Sequence, residues 1–123
     1  MSLARNIGNL PNGDDAPVFA CRAWVNFDGT TNTAGFCTIR DSGNVSTVAD
    51  NGTGDYTVNF ATAMPDENYS VVFGDSAADS NNDGGWVGIK YGTTPSNSSF
   101  RIITDGRAIG EYNPLYVYCA VFR

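Results

Sequence analysis

The stretch from Asn44 to Phe73, NVSTVADNGTGDYTVNFATAMPDENYSVVF, constrains this chain most. Tyr56, Val58 and Phe60 alternate with Asp55, Thr57 and Asn59, a period of two that suits a half-buried strand and no helix. Val45 to Asp50 reads as the strand before it. Asn51-Gly52-Thr53-Gly54 supplies the turn residues between the two. Met64-Pro65-Asp66-Glu67-Asn68 reads as a second turn, with Pro65 pre-set for its first central position. Tyr69, Val71 and Phe73 then form the inward set of a third strand. The expectation is a three-stranded meander on which the remaining strands pack.

Residues 1–16 lack periodicity and contain Asn9-Leu10-Pro11-Asn12-Gly13, so they read as an extended lead-in or neck. Residues 17–123 read as one domain. Phe19 to Phe27 alternates with Phe19, Cys21, Ala23, Val25 and Phe27 on one face. Asp28 to Asn32 reads as a turn, and Phe36 to Arg40 as a short strand. Further strands are expected over Trp86 to Tyr91, Ser99 to Thr104 and Leu115 to Phe122. Polar loops over 74–85 and 92–98 and the connection over 105–113 separate them. About eight short strands at this spacing predict an all-β fold, an antiparallel β-sandwich. The first and last strands are apolar on both faces. A strand with two apolar faces needs a second buried surface, and a subunit interface supplies one. Trp24, Tyr116, Tyr118 and Phe122 are the candidate interface residues.

Charge narrows the partners. The 123 residues carry a net charge of −6 and one lysine, Lys90. No basic stripe exists to displace counterions, which argues against nucleic acid. The same lack argues against an anionic membrane surface, and no apolar run is long enough for membrane insertion. No histidine is present, which removes the commonest general base and metal ligand near neutral pH. Cys21, Cys37 and Cys119 form no Cys-x-x-Cys pair. Cys21 and Cys119 read as buried free thiols of a reducing compartment, with a Cys21–Cys119 bridge as the alternative. The start of the chain lacks the apolar core of a signal peptide.

Four segments, taken in order, resemble a known family. They are Ala20 to Thr30 (ACRAWVNFDGT), Ile39 to Val45 (IRDSGNV), Asp50 to Phe60 (DNGTGDYTVNF) and Ala63 to Tyr69 (AMPDENY). The set is similar to the C-terminal head domains of bacteriophage and prophage tail-fibre and tail-tip proteins, over roughly Pro17 to Arg123. The resemblance implies a homotrimeric β-sandwich head at the distal end of a virion fibre, attaching to a host cell-surface glycan or protein. It implies assembly in the host cytoplasm and an upstream fibre shaft, which this sequence lacks. It carries over no catalytic set and no cofactor. Two alternatives stand beside it: a structural virion module that binds no receptor, and a calcium-dependent carbohydrate-binding module.

The candidate sites follow from side-chain chemistry. Asp79-Ser80-Asn81-Asn82-Asp83-Gly84 matches the opening of a calcium loop, so Asp79, Asn81 and Asp83 are the candidate metal ligands. The twelfth position is Lys90, a cation where a bidentate Glu is needed, and the loop reads better as polar turn chemistry. Glycoside cleavage needs two carboxyl groups facing across a cleft. Asp66 with Glu67, or Asp105 with Glu111, are the only groupings, and no enzyme activity is expected of them. For a receptor, Trp86, Tyr91 and Tyr112 flank polar loops and offer stacking faces for a sugar, with Asp79, Asn81 and Asp83 as hydrogen-bond partners. Arg22 and Arg101 are expected to pair with acids. The end of the domain opposite the lead-in is expected to meet the cell, with the loops 74–85, 92–98 and 105–113 gathered there.

Overall fold

A computed structural model describes residues 19–77 and 84–123. The fold is all-β, with no helix among the described residues. Nine strands follow in order: β1 (Cys21–Thr33), β2 (Phe36–Gly43), β3 (Val45–Gly52), β4 (Asp55–Phe60), β5 (Ser70–Asp75), β6 (Gly85–Ile89), β7 (Ser99–Gly106), β8 (Gly110–Glu111) and β9 (Val117–Phe122). All pairings are antiparallel, in the order β5-β9-β1-β2-β3-β4-β7-β6, with β8 added beside β7. The two end strands of this path, β5 and β6, lie alongside each other without pairing.

The expected sandwich is therefore corrected to a single sheet nearly closed into a barrel. The reason lies in β1. The segment over Asp28 to Asn32 is strand rather than turn, and β1 runs for 13 residues, pairing with β9 on one side and β2 on the other. Its register shifts at Cys21/Ala23, Asn26/Phe27 and Asp28/Thr33. Such bulges bend and over-twist a strand, so one continuous sheet can wrap around its own core. The β1–β2 turn moves to Ala34 and Gly35, which both take positive φ, 54° and 90°. That is the twist a two-residue hairpin requires.

The meander also changes. The β3–β4 hairpin forms, with Gly54 at a φ of 65° and packed so closely that a Cβ there would meet the Thr104 carbonyl oxygen at 2.6 Å. The third strand does not join it. β7 takes the place beside β4, and β5 pairs with β9 instead. Residues 61–69 are too long a connection for a tight hairpin, and they cross one end of the barrel. Met64 is buried there and donates its backbone N–H to the Asn97 carbonyl at 2.7 Å. The Tyr69 hydroxyl lies 2.9 Å from the Ser96 carbonyl.

The alternating inward residues fill the barrel. Tyr56, Val58, Phe100, Ile102, Val117 and Val121 are all at most 1% exposed. Phe27 meets Tyr56 edge-on at 5.1 Å between centroids, and Phe60 meets Tyr69 at 5.4 Å. Each such buried side chain contributes about 1.5–3 kcal/mol by leaving water. The Tyr56 hydroxyl reaches the far end of the core, 2.9 Å from both the Gly29 carbonyl and Asn113 Oδ1. No buried side-chain nitrogen or oxygen among the described residues lacks a partner.

Two sequence expectations fail at strand ends. Phe19 and Cys21 are exposed, because the bulge at Cys21/Ala23 breaks the alternation before it reaches them. Leu115 is exposed because β9 begins only at Val117. All three cysteines are free. Burial first, then the charges of Asp50 and Asp28, pushes the Cys37 thiol up to about 12, and burial does the same for Cys119. Both are held as neutral thiols.

Candidate functional site

Two groups of aromatic side chains stand outside this core. The first lies on the outer face of β5, β9 and β1. Alternation turns Val25, Val117, Cys119 and Val121 inward, so Trp24, Tyr118 and Ala120 point out. Trp24 and Val72 both pair with Ala120, and Tyr118 pairs with Asn26 and Gly74. Trp24, Val72 and Tyr118 are 42%, 60% and 45% exposed. Between them runs a shallow groove of about 380 Å³, floored by Ala120 and Gly74 with Asn26 at its lip. Tyr116 extends the surface, its ring 6.3 Å from that of Tyr118 and 17° from parallel. The Arg40 guanidinium lies 4.0 Å over the Tyr116 ring and donates to the Leu115 carbonyl at 2.6 Å. Three of the four expected interface residues thus share one surface. Phe122 is half-buried at the end where β1 begins. Val72, Ala120 and Arg40 were not singled out from sequence. The first two could have been found by following the outward phase of their strands.

The second group surrounds β6. Val87 packs against the core, so Trp86 points out and is 54% exposed. Tyr91, just past β6, is fully exposed. Tyr112 departs from its expected role as a contact residue, because it is only 8% exposed. Its hydroxyl donates to Asp75, and its carbonyl accepts from Thr104 Oγ1 at 2.6 Å. Burial first, then the Asp75 carboxylate, pushes its phenol up to about 12. It is a pillar between β7 and β5 rather than a stacking face. Asp79, Asn81 and Asp83 lie outside the described residues, as do Ser80 and Asn82 between them. Among the described residues, no group of three or more acids and cysteines is placed to hold a metal ion.

The loops separate by end. β1 begins beside Phe122 and Ser70, and this N-terminal end also holds the 92–98 loop, tied to residues 61–69 through Asn97 and Ser96. The opposite end holds the 105–113 connection, the 34–35 and 51–54 turns, and the strand ends Asp75 and Gly85. The expectation that all three polar loops gather opposite the lead-in is corrected for 92–98. Its partner strand β7 begins opposite Asn59, at the end where β4 finishes.

The acids divide between paired and unpaired. Asp66 is held at about 2 chiefly by the two-pronged hydrogen bond from Arg123, at 2.9 and 2.7 Å. Asp55 receives Arg101 Nε at 2.8 Å and Nη2 at 2.9 Å, with Lys90 Nζ at 3.2 Å. Arg101 thus takes the expected acid, whereas no ion pair forms at Arg22 among the described residues. The Arg101 hydrogen bonds hold the Asp55 carboxyl below the usual range, against the opposing effect of its burial. A carboxyl lowered on folding adds stability above its unfolded value, near 3.9, and loses it as pH falls through the lower folded value. The melting temperature of Asp55→Asn should therefore lie below wild type at pH 7, and the gap should begin to narrow below about pH 4 and go on closing as pH falls further. A gap independent of pH would refute the ion cluster as its source. Asp105 and Glu111 are paired with each other across β7 and β8, on an open face rather than across a cleft.

No family model, no curated protein and no solved structure matches the chain. No helix among the described residues is long and apolar enough to cross a membrane.

Proposed function

We propose that this chain is the head domain of a phage-type tail fibre, assembled as a homotrimer and attaching a virion to a host cell-surface glycan or protein. One observation carries the reading: the barrel core is complete without Trp24, Tyr116, Tyr118, Trp86 and Tyr91. Five large aromatic side chains on the outside of a small acidic domain are surface for something other than the chain itself. The β5–β9–β1 face, whose groove is lined by no charged side chain, suits contact between copies that would repel elsewhere at −6 each. Trp86 and Tyr91, displaced from that face, suit a receptor. Binding occurs there without bond cleavage. The incoming chain at Cys21 gives an upstream shaft its place, and free thiols suit assembly in a host cytoplasm. No cofactor takes part.

Labelled trimer incubated with a panel of bacterial strains should bind at least one strain saturably. Trp86→Ala and Tyr91→Ala should each weaken that attachment about tenfold or more, since three heads multiply a small loss per site. Sedimentation and melting temperature should stay at wild-type values. A trimer whose attachment ignores both changes has its receptor site elsewhere. A protein that binds no strain and stays monomeric overturns the reading.

A further inference from the structure

The strand register brings three residues into one row that the sequence separates. Trp86 on β6 pairs with Asp105 on β7, and Asp105 pairs with Glu111 on β8. Directly opposed residues point to the same face of a sheet. Val87, Thr104 and Tyr112, the next residues along or before them, are turned to the interior, so the row faces out. The indole is laid down rather than upright. Its Cζ3 atom would lie 3.0 Å from a Cβ at Gly88, so the ring rests over the space that a side chain there would fill. The side chain as a whole remains 54% exposed. Beside it are two carboxylates set against each other, an arrangement that like charges disfavour, and neither has an ion-pair partner among the described residues.

We propose that Trp86, Asp105 and Glu111 form a binding site for a neutral pyranose ring. The sugar's CH face lies on the open indole, and its hydroxyls donate to the two carboxylates, which can only accept. The inference rests on the attachment reading and narrows its receptor to an uncharged glycan. Two uncompensated carboxylates on a chain of net charge −6 repel sialylated, sulfated or phosphorylated sugars. Lys90 and Arg101 are already held by Asp55, and Arg107, in the turn between β7 and β8, makes no ion pair with either carboxylate among the described residues.

The chain has two tryptophans, so Trp24→Phe leaves Trp86 as the single indole reporter. Its emission is titrated with lactose, maltotriose and mannotriose, with sialyllactose as the anionic counterpart and oligolysine as the cationic one. At least one neutral oligosaccharide should shift the emission saturably, and sialyllactose should not. Asp105→Asn and Glu111→Gln should each raise its Kd about tenfold, because an amide replaces a charged acceptor. Gly88→Val should lift the indole and abolish the response. If that variant fails to fold, the two amide variants decide alone. Equal affinity for sialyllactose, amide variants that bind like wild type, a response to oligolysine alone, or no saturation by any neutral sugar each overturn the site. Attachment to cells that ignores Asp105→Asn overturns the site and leaves the attachment reading standing. Sugar binding without attachment to any strain does the reverse.

Discussion

Tyr118→Asp should convert a trimer into folded monomers. Tyr118 is 45% exposed on the single chain and stacks on Tyr116, so a carboxylate there has water to face and the barrel should keep its stability. In the proposed assembly the same position is covered. An uncompensated buried charge costs about 3–5 kcal/mol, and at 1.4 kcal/mol per tenfold that weakens each contact by roughly two to three and a half orders of magnitude. Sedimentation at micromolar concentration should report a trimer for wild type and a monomer for the variant, with unchanged far-ultraviolet circular dichroism. A wild-type monomer at that concentration would sink the interface and the trimer together. A variant that remains trimeric would move the interface off the β5–β9–β1 face. In that case Trp24, Val72 and Tyr118 would need another partner.

Phe27→Ala should be the most damaging single truncation of the fold. Phe27 is fully buried on the longest strand, and its ring packs edge-on against Tyr56. Tyr56 in turn ties the core to the Gly29 carbonyl and to Asn113. Removing the ring leaves a cavity that a sheet wrapped around its core cannot readily collapse to fill. The expected loss is about 3–5 kcal/mol, against a total stability of about 5–15 kcal/mol for a domain of this kind. At roughly 4 °C per kcal/mol the melting temperature should fall by about 12–20 °C. Urea unfolding monitored by tryptophan emission checks the free energy directly. A loss below about 1 kcal/mol would mean that the core collapses around the missing ring and that the cavity argument fails. Asn113→Ala, which removes the partner of the Tyr56 hydroxyl and of the Gly54 N–H, should cost less, about 1–3 kcal/mol.

Part of the candidate site was legible before any fold was known. Trp86 and Tyr91 follow from exposed aromatic positions beside polar loops, and Trp24 and Tyr118 from strands apolar on both faces. Tyr112 looked the same by sequence, yet it is an interior pillar. A tyrosine beside a loop reads alike whether its hydroxyl meets solvent or an Asp75 brought in from a strand 37 positions away. Asp105 and Glu111 read as an isolated pair of acids. Only the β6–β7–β8 register sets them beside an indole.

The sequence by itself determined the period-two phase of its strands, and with it which side chains are inward. That phase is covalent: successive side chains alternate whatever the strand pairs with. It correctly assigned Tyr56, Val58, Phe60, Phe100, Ile102, Val117 and Val121 to the interior, and it excluded helix throughout the described chain. Only the tertiary structure decided who pairs with whom. β5 left the expected meander for β9: a nine-residue connection costs little more entropy to close across the barrel than beside it, and from there Tyr69, Val71 and Phe73 still pack against the core. The bulges of β1 then turned two sheets into one, exposed Cys21, and settled which loops share an end. Alternation is a property of each strand alone. Closure is a property of all of them at once, and it sets which outward residues become neighbours.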